Sequence, residues 1–563
     1  MHPTVGTEHA LDEEIVGVVV FDVQDAGGHG RRKSTKACSI AAVGRCPVGQ
    51  RDGFSTLPPV DLRCPTSRRC VRWCVLACAG GLATWSAPVQ AEPRSDRTAA
   101  GTDARAASRE DSVATVLRIE RIEVVGRETV ALDRIERVLE DAGLRPGAAL
   151  ELPGDRRIRI ARARLAETGY FRRVTLRLRP GSAPDRVVLV VDVEERLSVS
   201  VTRVHAASSK FTPFHGGLTV VERNFLGRGV WLGGGFVWGT LPRIPKARRQ
   251  QAYRVFAEAP RLPGAPLGVL GSLYLVSASE PYRVAGPADD PSPSSFSTFD
   301  YDRIGASVGL SFPVVVGFDL GVEYRFERID ATLPTDPVWT RPDGTVEPVD
   351  LRMRDGPHRH TVLQVSLTWD GRSEAYRHGK GGRIAMDLHV GSPGLGSNYE
   401  YLRFVAGGGY TFRLPWRHWV TPSITAGQIV GTAPRFEFFY AGDLSDWTPG
   451  REEGLLYSTR GPIDVFGTGI DERTFGNIFG VLDVEYVWPV FRRRRTRWIY
   501  GGDLFLSIGT FTLAGDREQR AADRAAGRPV APFGLRANFG LRLDTPLGVM
   551  DLSVGNVLRR MPL

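Results

Sequence analysis

The chain has 563 residues, 73 Lys and Arg against 63 Asp and Glu, and a formal net charge of +10. That length exceeds one small domain. The modest charge reads first as a solvated surface and second as contact with anionic lipopolysaccharide or acidic clients. No run of about 18 apolar residues marks a transmembrane helix.

Residues 1–67 read as a doubtful N-terminal extension, because residues 68–91 have the layout of a signal peptide. Arg68, Arg69 and Arg72 form its basic start, Trp73 to Ala83 its apolar stretch, and Val89-Gln90-Ala91 its small-residue exit. No methionine falls between Met1 and Met353. Translation is therefore expected to begin near residue 60, at a non-AUG codon; an unusually long leader is the alternative. Cys38, Cys46, Cys64, Cys70, Cys74 and Cys78 all precede residue 79, so the mature chain is expected to have no disulfide framework and no thiolate chemistry. The Cys70, Cys74, Cys78 spacing would suit zinc, but these residues lie in the signal peptide and no metal site is expected. Residues 92–115 lack periodicity and read as a linker.

Residues 116–195 read as a small α/β module. Val116 to Gly126 is a strand in which Leu117, Ile119, Ile122 and Val124 alternate around one irregularity. Leu132, Ile135, Val138 and Leu139 recur at helical spacing before Gly143. Ile158, Ala161 and Leu165 mark a second helix ending at Gly169. A hairpin follows, Val174 to Leu178 and Val187 to Val193, turning at Pro180-Gly181. IERIEVVGR, LAETGYFRRVTLRL and VVLVVDVEER make this stretch resemble the POTRA (polypeptide-transport-associated) domain. Gly169, Tyr170 and Phe171 at the junction are expected to cap the helix and fill the core. The resemblance implies a free sheet edge, expected at Val187, Leu189 and Val191, where an extended client adds a strand through main-chain hydrogen bonds.

From residue 196 the pattern changes to repeated period-two alternation. Leu535, Ala537, Phe539 and Leu541 oppose Arg536, Asn538, Gly540 and Arg542. Leu363, Val365, Leu367 and Trp369 oppose Gln364, Ser366 and Thr368. Leu482, Val484, Tyr486 and Trp488 oppose Asp483 and Glu485. Charge on one face of so many strands needs a wet interior, as in a closed barrel in lipid. Fifteen strands are expected, near 196–206, 215–223, 229–240, 250–260, 268–284, 299–313, 316–331, 358–370, 381–391, 399–413, 418–430, 478–490, 497–512, 534–545 and 548–557. Long connections such as 332–357 and 431–477 alternate with short ones such as 314–315 and 546–547, which is the outer-membrane barrel signature. The fold class expected is mainly β, a small periplasmic α/β module followed by a transmembrane antiparallel barrel (196–563) of about sixteen strands.

Three stretches in order resemble the BamA/TamA family of outer-membrane assembly proteins, also called bacterial surface antigens. They are Glu222 to Gly229 (ERNFLGRG, with Asn224, Gly227 and Gly229 as a turn), Thr368 to Arg372 followed by Gly381-Gly382-Arg383, and Gly534 to Gly548. The long loop 431–477 is the family's functional loop by position. Arg460 and Gly461 match the family's Arg-Gly-aromatic motif, and Pro462 replaces the aromatic. The resemblance implies that Arg460 braces the barrel against lumen-facing acids or aromatics.

No P-loop, dinucleotide fingerprint or nucleophile elbow is present, and neither enzymatic activity nor a cofactor is expected. His358-x-His360 has metal-ligand spacing but no third ligand nearby and reads as strand polarity. The resemblance implies an outer-membrane protein assisting insertion or translocation of polypeptides. Its module would lie in the periplasm and receive clients, and its barrel seam would act as a gate. The partners are unfolded outer-membrane or secreted polypeptides, outer-membrane lipids, and periplasmic or lipoprotein accessory factors; nucleic acid is not among them. A passive channel or surface antigen of the same fold, and a two-partner secretion pore, are the alternatives.

Overall fold

The computed structural model describes residues 15–18 and 115–555, apart from 153–154, 169, 196, 261, 263–264, 266, 316, 373–378, 443–450, 492–498, 500 and 546–547. The signal peptide, nearly all of the N-terminal extension and the linker, Gly169, and Arg492 to Arg495 lie outside the described residues.

A short strand, β1 (Ile15–Val18), comes first. The module then runs β2 (Thr115–Val125), α1 (Leu132–Asp141), β3 (Ala149–Leu152), α2 (Arg156–Glu167), β4 (Phe171–Pro180) and β5 (Arg186–Glu195). The register of β2 shifts between Ile119 and Arg121, so its apolar residues keep facing the core on both sides of the irregularity. Ile135 and Leu139 of α1 and Ala161 and Leu165 of α2 pack on Ile119, Leu150, Phe171 and Val193. Gly143 closes α1 with positive φ, and Leu144 N–H donates to the Leu139 carbonyl at 2.8 Å. Ahead of α2, Asp155 accepts from the Arg157 guanidinium and backbone N–H, and these hydrogen bonds hold its carboxyl down at about 2. Glu195 receives the N–H groups of Glu128, Thr129 and Val130. Burial pushes its carboxyl up, but those bonds prevail and hold it below the ordinary value.

The module's sheet has the order β3-β2-β5-β4. Val187, Leu189 and Val191 therefore sit on an interior strand, parallel to β2 and antiparallel to β4, and all three are buried. The expectation that they form the free edge is corrected: the long outer strand is β4. The physical reason lies in RVVLVVDV itself. A continuous apolar run needs cover on both faces and belongs in the middle of a sheet.

The large sheet is built from β6 (Val199–Ala207), β7 (His215–Phe225), β8 (Val230–Gly239), β9 (Gln251–Ala259), β10 (Gly268–Arg283), β11 (Phe296–Val315) and β12 (Phe318–Thr332). A hairpin, β13 (Val338–Thr340) and β14 (Val346–Pro348), sits in the next connection. The sheet continues with β15 (Gly356–Asp370), β16 (Gly381–Gly391), β17 (Glu400–Arg413) and β18 (Trp419–Thr432). The long loop contains β19 (Phe439–Tyr440), β20 (Arg451–Glu452), β21 (Leu455–Leu456) and β22 (Phe475–Gly476). Then come β23 (Ile478–Phe491), β24 (Gly501–Ala514), a loop helix α3 (Arg517–Ala525), β25 (Phe533–Thr545) and β26 (Gly548–Gly555).

All fifteen expected strands form, each antiparallel to its neighbours from β6 to β26. A sixteenth strand, β1, comes from the N-terminal extension ahead of the expected signal peptide; it pairs with β26 in parallel and irregularly (Ile15 opposite Val549, Val18 opposite Asp551) and lies against β6. Alternation sorts the faces as the sequence pattern requires. Phe539 is 54% exposed and Leu482 52%, whereas Asn538, Asp483, Gln364 and Asp387 are buried on the inner face. Inward aromatics lie on directly opposed glycines, among them Tyr274 on Gly305, Tyr401 on Gly391, Phe256 on Gly233 and Phe479 on Gly427. A Cβ at these glycines would come within 2.3–2.5 Å of the ring.

Candidate functional site: a loop-filled interior and a latched module

The inner face of β11 and β12 carries charge at alternate positions. Glu327 is fully buried and accepts from both sides of the wall. Arg303 reaches it through two nitrogens, each at 3.1 Å, and Arg325 at 3.3 Å. The Tyr274 hydroxyl donates to it at 2.6 Å, and His360 Nδ1 lies at 3.3 Å. Two cations around one carboxylate offset the desolvation that a lone buried charge would suffer. His360 Nε2 meets the Tyr401 hydroxyl at 2.9 Å, and His358 Nε2 meets that of Tyr399 at 2.9 Å. Both histidines are thus hydrogen-bonding members of the wall.

The loop between β18 and β23 supplies the other half. Pro434 starts a 3-10 turn, Arg435 to Glu437, that places a cation and an anion one turn-step apart. Arg325 bonds Glu437, while Arg435 Nε bonds Glu280 of β10 at 2.7 Å. The Arg303 guanidinium stacks 3.9 Å above the Phe436 ring, and that of Arg403 lies 5.0 Å above Phe439. Further along, the Tyr301 hydroxyl donates to the Gly454 carbonyl at 3.2 Å. Gln250 donates to the Leu456 carbonyl at 2.6 Å and Ser209 to that of Tyr457 at 2.5 Å, and the Tyr457 ring stacks on His215 at 4.6 Å. One loop is therefore pinned to strands β7 to β17.

Arg460 and Gly461 belong to this loop. Arg460 is half-buried, and its backbone N–H donates to Ser458 Oγ at 3.3 Å. Gly461 passes so close to the Asp471 carbonyl that a Cβ would stand 2.3 Å from its oxygen. Among the arginines whose side chains bind loop to wall are Arg303, Arg325, Arg403 and Arg435. They went unnoticed in the sequence, although Glu323, Arg325 and Glu327 alternate along one face of an expected strand.

At the short-turn end, two expected sites meet. In the turn between β7 and β8, Asn224 Oδ1 accepts from Gly229 N–H at 2.9 Å, and Leu226, Gly227 and Gly229 all have positive φ. The module closes on this turn. The Tyr170 hydroxyl donates to the Gly229 carbonyl at 3.3 Å, and Arg134 donates to the Arg228 carbonyl. Burial pushes the Tyr170 hydroxyl's pKa up. A Cβ on Gly229 would lie 2.5 Å from Tyr170 Oη. Phe171, next in the chain, turns into the module core.

An antiparallel sheet with apolar residues outward, a charged interior and a loop folded into that interior defines a membrane β-barrel. The model for the Omp85 superfamily domain matches residues 224–562, more than half of the chain, and the chain belongs to that superfamily of outer-membrane proteins acting in polypeptide insertion and transport. Among curated proteins none matches. Of solved structures, BamA from Haemophilus ducreyi lacking POTRA domains 1-3 is similar at 15% identity over 78% of this chain and 80% of that one, with a TM-score of 0.43. CdiB from Escherichia coli is similar at 12% identity over 77% and 73%, with a TM-score of 0.48. CdiB from Acinetobacter baumannii is similar at 12% over 76% and 68%, with a TM-score of 0.43. Family membership rests on the domain match.

Proposed function

We propose that this protein assists insertion or translocation of other polypeptides at the outer membrane, with its α/β module and short turns in the periplasm as a single POTRA-type domain. The observation that carries the reading is the latch: the turn Asn224 to Gly229 and the module's Tyr170 and Arg134 form one contact, which holds a client-receiving sheet at the barrel's end. The outer strand β4 would receive an extended client along its backbone. Its Arg173, Arg177 and Arg179 pair with Glu194, Asp192 and Glu123 and guard the edge against promiscuous pairing. No covalent chemistry is involved. Each client strand that pairs satisfies backbone groups that lipid leaves bare, and this drives the process. In this reading Arg460 and Gly461 hold the loop's fold, and the seam between β6 and β26, the first and last of the fifteen expected strands, forms the gate with β1 lying in it.

Deleting the gene and comparing the outer-membrane proteome with the parent strain tests the reading. Selective loss of one or a few barrel or secreted proteins is expected. An unchanged proteome with altered small-solute permeability would overturn it in favour of a passive channel. The loop packed against strands β7 to β17 speaks against free solute flow and favours the first reading.

A further inference from the structure

The turn from β17 to β18 is a tight hairpin, in which His418 N–H donates to the Pro415 carbonyl at 3.3 Å around Trp416 and Arg417. Trp416 and Arg417 both have positive φ, 57° and 65°. Two consecutive side-chain-bearing residues in the left-handed region are uncommon and cost energy at each position. The turn projects Trp416 outward, 79% exposed, beside exposed Arg413 and Arg417. The neighbouring rim is aromatic. His418 lies 6.1 Å from Trp416, 5.6 Å from Tyr486 and 6.0 Å from Trp488 between ring centroids, and it is hydrogen-bonded to the Tyr486 hydroxyl. Trp419 stands opposite Val487, so the β17–β18 turn adjoins the end of β23.

The charge of this rim is one-sided. No Asp or Glu occurs between Glu400 and Glu437, nor between Glu485 and Asp503. Among the described residues from Arg413 to Trp419, an exposed indole and guanidinium groups with no acid between them match the interface between acyl chains and a negative headgroup.

We propose that the Arg413 to His418 turn is a binding site for an anionic phospholipid headgroup. Arg413 and Arg417 engage its phosphate, and Trp416 seats in the glycerol region beside Tyr486 and Trp488. Zwitterionic lipid fits less well because its choline brings a cation to a turn whose charged side chains are Arg413 and Arg417. The orientation proposed above decides only which leaflet supplies the lipid.

The test is native mass spectrometry of the full chain in detergent, titrated with dioleoylphosphatidylglycerol or dioleoylphosphatidylcholine. Phosphatidylglycerol should bind the more tightly. Arg413→Gln with Arg417→Gln should weaken it by roughly 30-fold, at about five-fold per arginine near an anionic headgroup. Arg413→Lys with Arg417→Lys should keep most of the binding. Trp416→Asn, which tolerates the left-handed backbone, should also weaken it. Equal affinity for the two lipids, or phosphatidylglycerol binding unchanged in the glutamine pair, would overturn the site. Heat-modifiable migration on gels checks that each variant is folded. The measurement involves no client, so its failure would leave the proposed function standing, and an unchanged outer-membrane proteome would leave the lipid site standing.

Discussion

Glu437→Gln tests whether the loop closes the barrel through the charged wall. In the structure Glu437 is buried and bonded to Arg325, which retains Glu327 at 3.3 Å. Breaking a buried ion pair costs about 3–5 kcal/mol when one charge is orphaned. The remaining partner of Arg325 argues for the lower end, about 3 kcal/mol. If the loop's docked and released states are otherwise undisturbed, that energy raises the released fraction roughly 100-fold, at about 1.4 kcal/mol per decade. Planar-bilayer recording reads this as a rise in the time spent conducting. Arg325→Met with Glu437→Met exchanges the pair for apolar side chains and should restore much of the closure. Conductance unchanged by Glu437→Gln would refute the argument, since the loop would then be held by something other than this pair.

Two further outcomes follow from the module. Gly229→Ala adds a Cβ that meets Tyr170 Oη at 2.5 Å in a residue of φ +65°. Left-handed strain of about 1–2 kcal/mol and a lost hydrogen bond of about 1 kcal/mol should loosen the latch. Spin-label distances between α1 and the turn should broaden, and an unchanged narrow distribution would count against the latch. Asp155→Ala should speed hydrogen exchange in α2 by the equivalent of about 1–2 kcal/mol at neutral pH, allowing for screening. The Asp155 carboxyl is lowered from 3.8 to about 2, so its stabilisation is complete above about pH 4. It is lost as pH falls through 2, and the two proteins should converge there; a difference that persists below that pH would assign the effect to packing.

Much of the barrel was legible because its signal is local. Alternation at Leu482, Asp483, Val484 and Glu485 fixes a face without knowledge of any partner. The bulge in β2 was legible too, since Ile119 and Ile122 are out of phase. The edge of the module was not. Strand order is a long-range property, and the hairpin of β4 and β5 does not say which member turns inward until β2 takes its place beside β5. The interior network had a visible half, the charges of β12, and an invisible half. Glu437 lies in a loop whose return to Arg325 spans 112 residues of sequence. Arg460 drew attention by its motif, whereas Arg435, Glu437 and Arg473, which form ion pairs of the loop, belong to no motif.

The aromatic-on-glycine contacts bear on how such a sheet finds its register during assembly. Sliding one strand by two residues keeps every apolar side chain outward, so alternation does not reject it. Such a slip would move Tyr274 from Gly305 onto Arg303 or Ser307, as the observed pairing shows. The ring would then meet a side chain where it now meets an open socket. Gly305, Gly391 and Gly233 thus act as detents between β10 and β11, β16 and β17, and β8 and β9, and they give the folding barrel a check on even-numbered errors.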